Sequence, residues 1–244
     1  MSYNRIVYLP SINYQTDFMT DQYCFSSHGV YRSDDLSEGY SFEAYPCWNL
    51  WLLSHHCSFL VWSLTIDALR KEQYSQAENY LLIYNEILTY TRVITPDAYD
   101  HEVRPIMAAF WPGFSAVWSY EFQLLKWMIK NLCKSAEHTK VHEAFKVCHI
   151  NHLTTAKTLV PKGRSLLQEI KKAGKMKSES DEVLNFAYDS LFLIQRKTVS
   201  IKDLELQVIA KFKNLSKDAI TLQCTAEMPY SHGLIESLEH KWLK

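Results

Sequence analysis

Residues 47–71 read CWNLWLLSHHCSFLVWSLTIDALRK, and the spacing of the apolar side chains in this stretch decides the fold class. Leu52, Phe59, Trp62, Ile66 and Leu69 recur at three, four and seven residues, which is the period of one helix face. The same period continues over 75–94, where Leu81, Tyr84, Leu88 and Thr91 form the stripe. Thr95-Pro96-Asp97 then has the chemistry of a helix start. The hydroxyl can cap free N–H groups, proline is tolerated in the first turn, and an acid suits the positive end of the helix dipole. That segment is expected to be interrupted at Pro105 and to stop at Trp111-Pro112-Gly113. An amphipathic helix is expected over about 114–132 and another over about 135–159, before Pro161. Weaker helical patterns carry the chain from the basic 162–177 stretch to its end, and KKAGKMKSESDE reads as a solvated, flexible joint. Residues 1–45 show no sustained period and read as an irregular arm with at most a short helix. No internal repeat and no strand-like alternation competes with the helices. The expected architecture is therefore all-α, with an arm (1–45), a helical core (46–172) and C-terminal helices (173–244) that complete the bundle.

Composition narrows the class of function. The chain has 244 residues, enough for a sizeable core, and only six glycines, which suits helices better than sheets with tight turns. A formal net charge of −1 gives no broad pull toward nucleic acid or acidic lipids. No apolar run reaches the ~18 residues that span a bilayer, and the start MSYNRIVYLPS lacks the basic-then-apolar plan of a signal peptide. A soluble cytoplasmic protein with no membrane partner is expected. The six cysteines are scattered without a CxxC pair, as idle thiols in a reducing compartment would be. Aromatics reach 14%, a proportion that serves either a large core or a pocket for a flat ligand.

Ten histidines raise metal and proton chemistry. His55 and His56 fall in the first helix, and His149 and His152 share roughly one face of the fifth. A neutral imidazole can ligate a metal, and an uncoordinated one can move a proton near neutral pH. Two histidines from different helices of a bundle could face each other across a flat cofactor. Periodicity alone does not say which of them does so.

Three blocks, in order, resemble the tryptophan 2,3-dioxygenase family. Ser54-His55-His56-Cys57-Ser58-Phe59-Leu60-Val61-Trp62 is similar to the family segment THQAYELW, with His56 on the distal histidine and Phe59 and Trp62 in register. Thr95-Pro96-Asp97 through Val103-Arg104 to Pro112-Gly113-Phe114-Ser115 resembles TPxDFxxFR…SGFxS, with Arg104 on the arginine that binds the substrate carboxylate. The run from His152 to Val160 resembles HxxxVxRxIG, whose histidine is the proximal haem ligand. The likeness spans about residues 45–170. Three departures accompany it. Pro161-Lys162-Gly163-Arg164-Ser165-Leu166-Leu167 stands where the family has GTGGSSG, Leu60 replaces a glutamate, and Pro105 follows Arg104 directly, which disfavours helical geometry at the arginine. They direct the resemblance to the wider haem-dependent aromatic oxygenase superfamily, which includes tyrosine hydroxylases of natural-product pathways and a relative in aminopyrrolnitrin synthesis.

What the resemblance implies is a bundle of the tryptophan/indoleamine 2,3-dioxygenase type whose core, 46–172, binds haem b. His152 would be the axial iron ligand, and His56 the catalytic residue on the opposite side. Arg104 would hold a substrate carboxylate, and Trp51, Phe59, Phe114 and Phe110 would wall the ring. Ser115 would either bond the substrate or cap the helix expected there. The implied activity is oxidation or hydroxylation of an aromatic amino acid, indole or phenol, with dioxygen or hydrogen peroxide as oxidant, in secondary metabolism and in a homodimer or homotetramer. The alternatives are tryptophan 2,3-dioxygenase itself, or a non-haem di-iron helical oxidase drawing on Glu78, Glu86, Glu121, Glu137, His138, His142 and Glu143. A helical binding or scaffold protein without chemistry is the remaining class.

Overall fold

The computed structural model describes residues 6–12, 45–115, 118–132, 135–160, 165–174, 181–223 and 240. Most of the expected N-terminal arm and part of the Lys-rich joint lie outside them. The described chain is mostly helical. Its centre is helix α1, Pro46–Arg70, which the stretch quoted above forms. A helix that is apolar on every face is driven inside, and all but a few residues of α1 are buried. The hydroxyls on it do not oppose this, because each bonds within the helix. Ser58, Ser63 and Thr65 donate to the carbonyls of Ser54, Phe59 and Val61 at 2.7–2.8 Å.

A three-residue turn, in which Glu72 takes a left-handed backbone (φ 57°), leads to α2, Tyr74–Thr91. Leu81, Tyr84, Leu88 and Thr91 are buried there, as the period requires. Helix α2 packs on α1 and also on α6, Ala136–Leu159, whose Ser135 cap accepts from His138 N–H at 3.3 Å. Helix α9, Ile201–Gln223, packs on α1 and contributes Leu204, Val208, Phe212 and Leu215 to the core. The short α7, Leu166–Lys172, and α8, Asp181–Leu191, lie between them in sequence.

Three expectations change. Pro105 does not interrupt the segment after Thr95. The chain runs as one helical stretch through α3 (Pro96–Ala98), a π-turn (Tyr99–Val103) and α4 (Arg104–Phe110), with Arg104 helical at φ −61°, ψ −42°. Proline lacks an N–H for the four-back carbonyl, but Pro105 follows the π-turn directly and stands in the first turn of α4, where that residue type is tolerated. Thr95 caps the start as expected, accepting from Ala98 N–H at 3.2 Å. Helix α5 covers Tyr120–Asn131 rather than starting near 114, because Ser119 supplies the cap by accepting from Phe122 N–H. Phe114 and Ser115 therefore precede the helix. Finally, the described residues include two strands. Strand β1, Val7–Leu9, pairs in parallel with β2, Ile194–Arg196. Three residues are too few to show alternation. A second edge of β1 is closed by a side chain, since Tyr8 N–H donates to Gln207 Oε1 (2.9 Å) and Gln207 Nε2 donates back to the Tyr8 carbonyl (3.1 Å). Among the described residues, no helix is long and apolar enough to cross a membrane.

Candidate functional site

Side chains from four helices meet at one place between α1, α2, α5 and α6. Helix α1 presents His55, Phe59 and Trp62 at four- and three-residue steps, so they share a face. Trp62 stands edge-on to Tyr84 of α2, with centroids 5.2 Å apart, and lies 5.0 Å from Phe122 of α5. Phe122 stacks on His149 (6.3 Å, 25°) and on His152 (5.9 Å, 19°), both from α6. The Tyr84 hydroxyl and His152 Nδ1 share a 2.6 Å hydrogen bond. Burial, with His149 adding to it, lowers the His152 pKa below the ordinary value, so the ring is neutral at neutral pH.

The two adjacent histidines of α1 have separate environments. His55 Nδ1 donates to the Trp51 carbonyl at 2.7 Å, which leaves Nε2 as the bare nitrogen. Its ring lies on Phe192 (5.0 Å, 21°) and against Trp51 (4.0 Å). Its pKa falls to about 4, chiefly through burial. His56, the residue that the family register selects, is fully buried and points elsewhere. Its Nε2 donates to the Phe192 carbonyl at 2.6 Å, and Nδ1 accepts from Lys211 Nζ of α9 at 3.2 Å. Burial holds its pKa well below the usual value, with Lys211 acting in the same direction. Burial likewise brings Lys211 down to about 8, although the neighbouring Cys57 opposes the shift. The structure thus gives the two neighbours different partners, His55 among the rings of Trp51, Phe59 and Phe192, and His56 between the Phe192 carbonyl and Lys211.

Trp51, Phe59 and Phe114 come together, around a residue that the sequence reading did not select. Phe192, just past α8, lies 5.1 Å from Trp51, 5.0 Å from Phe59 and 5.8 Å from Phe114. Tyr188, one turn earlier, stacks on Phe114 at 13°. No period in the C-terminal sequence marks Phe192; only its aromatic type pointed to it. Phe110 is exposed and stands apart from this wall. Ser115 does not cap α5, and its carbonyl accepts from Trp118 N–H. Arg104 is paired with Glu169 of α7 at 2.7 Å.

A second buried charge cluster had no sequence signal. Arg196 of β2 clasps Asp189 of α8 through Nε and Nη2 (2.7 and 2.8 Å) and also bonds to Glu121 of α5, which is fully buried. Glu121, one of the carboxylates available to a di-iron site, is committed to this arginine. Among the described residues no three His, Cys, Asp or Glu side chains converge as a metal-binding group. The side chain of Glu137 lies outside the described ones. A cleft of ≈ 750 Å³ opens at the α1–α2 turn, between Asp67, Lys71, Glu78 and Lys140, and none of the histidines above lines it. No protein-family model and no curated protein matches this chain.

Proposed function

We propose that the chain is a haem-dependent oxygenase that oxidises or hydroxylates an aromatic amino acid or a related phenol or indole. The observation that carries the reading is the pair of neutral imidazoles on α1 and α6. Each is held at Nδ1, His55 by a carbonyl and His152 by a phenol, and neither Nε2 makes a hydrogen bond to a described residue. A histidine that ligates iron needs this arrangement, with a partner at one nitrogen fixing the ring and a lone pair at the other. The apolar rings of Trp51, Phe59, Phe114, Phe122 and Phe192 match the flat, uncharged faces of a porphyrin or an aromatic substrate. The donor set is of the kind haem needs, and His152 Nε2 would hold its iron. Bound there, haem would supply the activation of dioxygen or hydrogen peroxide that no side chain here can provide.

The remaining roles belong to the chain. His55 Nε2, a weak base in this setting, would be the atom that takes or returns a proton. His56 acts behind it as a positioning residue, because its bonds to Phe192 and Lys211 fix the ring that His55 stacks on. The aromatic wall excludes water and orients a substrate ring. Arg104 would engage a substrate carboxylate only by exchanging Glu169 for it, a like-for-like swap of charged partners.

Titration of the purified full chain with hemin tests the reading. A one-to-one complex with an intense Soret band is expected, and His152→Ala should abolish it while His56→Ala and His55→Ala retain it. A chain that leaves the hemin spectrum unchanged, or a His152→Ala variant that binds as the parent does, rules the reading out.

A further inference from the structure

Helix α6 has two unlike sides. The inner one is fixed to α2, where Cys148 Sγ donates to the Leu81 carbonyl at 3.0 Å and Thr155 Oγ1 accepts from Arg92 Nε at 3.1 Å. The outer one carries Val147, Ile150 and Leu153, which are 51%, 52% and 45% exposed. At about 100° per residue, Val147 and Leu153 stand about 60° to either side of Ile150, so the three form one apolar strip. Single exposed apolar side chains are ordinary, whereas a contiguous strip of them points to a contact. His152 is turned about 160° from Ile150, so this surface is separate from the imidazoles of the haem reading.

The charges around the strip indicate what covers it. Glu143 lies two turns before Ile150 and Lys157 two turns after it, both exposed and both within about 20° of its direction. Reversing the helix about Ile150 exchanges Glu143 with Lys157, Val147 with Leu153, and Lys146 with Thr154. A second α6 laid antiparallel on the first therefore meets it in register. Ile150 faces Ile150, Val147 and Leu153 come level with their counterparts, each end gains a Glu143–Lys157 pair, and no like charges are opposed. A parallel pair would set Glu143 against Glu143 and Lys157 against Lys157. We propose that the outer face of α6 is a self-complementary interface through which two copies of this chain dimerise, with the two-fold axis at Ile150. One helix face is small beside the roughly 800 Å² per partner of a standard interface, so the dimer is a weak one in exchange with monomer.

Sedimentation velocity of the full chain at rising concentration should show monomer passing to dimer and to nothing larger, because a two-fold interface closes on itself. Ile150→Asp changes a half-exposed position, so by circular dichroism it should fold as the parent does, and it should remain monomeric. Glu143→Lys and Lys157→Glu should each weaken dimerisation about tenfold; one exposed pair is worth little, but the two-fold makes every reversal count twice. Mixed one to one, these two variants should form a heterodimer as tight as the parent, since each pair is again a glutamate with a lysine. High salt should bring each single charge variant close to the parent. A parent that stays monomeric at every concentration overturns the proposal, including one whose α6 face is covered by another segment of its own chain. So does a dimer that Ile150→Asp leaves intact, or one to which the charge variants and their mixture are indifferent.

Discussion

His55 and His56 differ by one step in sequence and by about 100° around α1, and that rotation separates a group packed against Trp51 and Phe192 from a group anchored to α9. Alignment by motif places the family histidine on His56, since Trp62 lies six residues on, but no sequence pattern reports which of two neighbouring side chains reaches the cluster. Both rings are neutral in the folded protein and have lowered pKa values. The unfolded chain, at the ordinary value of 6.5, binds protons that the folded one refuses, so stability falls as the pH drops below 6.5 and levels off near the folded value, about 4 for His55. Urea midpoints taken across that window should show this loss. His55→Phe, which keeps a ring on Phe192, should lose less than the parent. Superimposed pH profiles would mean that His55 is not held neutral by burial.

At the scale of elements, the long helices were legible because their periods extend over four turns or more, and the caps at Thr95 and Ser135 were legible in residue type or position. What escaped was short or charged. The start of α5 depends on one serine choosing between two turns, β1 has three residues, and the Arg196 cluster joins positions 121, 189 and 196 through space alone. That cluster ties α5, α8 and β2 together beside Tyr188 and Phe192. Arg196→Met leaves two carboxylates without their cation, Glu121 among them fully buried, and should cost about 3–5 kcal/mol of urea stability. Adding Glu121→Leu and Asp189→Leu to it should restore much of the loss, since an apolar replacement of the whole cluster removes the desolvation cost as well. A triple variant no more stable than the single one would show that the cluster contributes more than charge balance. Gln207→Ala, which frees both Tyr8 backbone groups, should cost about 1–3 kcal/mol by the same measurement, because each lost bond leaves a buried polar group unmet.

For the whole molecule, the distribution of contacts decides what a ligand at the histidines would do. Helix α1 is in contact with α2, α5 and α9, while α6 rests mainly on α2, so the group that spans His55 and His152 would join the two sides of the bundle. A ligand bound only by the folded chain stabilises it by mass action, about 3 kcal/mol at a hundredfold excess over its dissociation constant. For a domain of this size that corresponds to a rise in Tm on the order of 5–10 °C. Hemin should therefore raise the melting temperature of the full chain by that amount and do nothing for His152→Ala. Tyr84→Phe should give a smaller rise, because the ring at position 152 keeps its lone pair but loses the hydroxyl that orients it. The parent and the two variants separate coordination from adhesion: hemin that merely adheres to the exposed apolar residues Val147, Ile150 and Leu153 along α6 would leave His152→Ala with the same rise as the parent. The order parent, Tyr84→Phe, His152→Ala in the size of the shift is thus the signature of an iron held at His152, and an equal shift in all three is the signature of a surface effect.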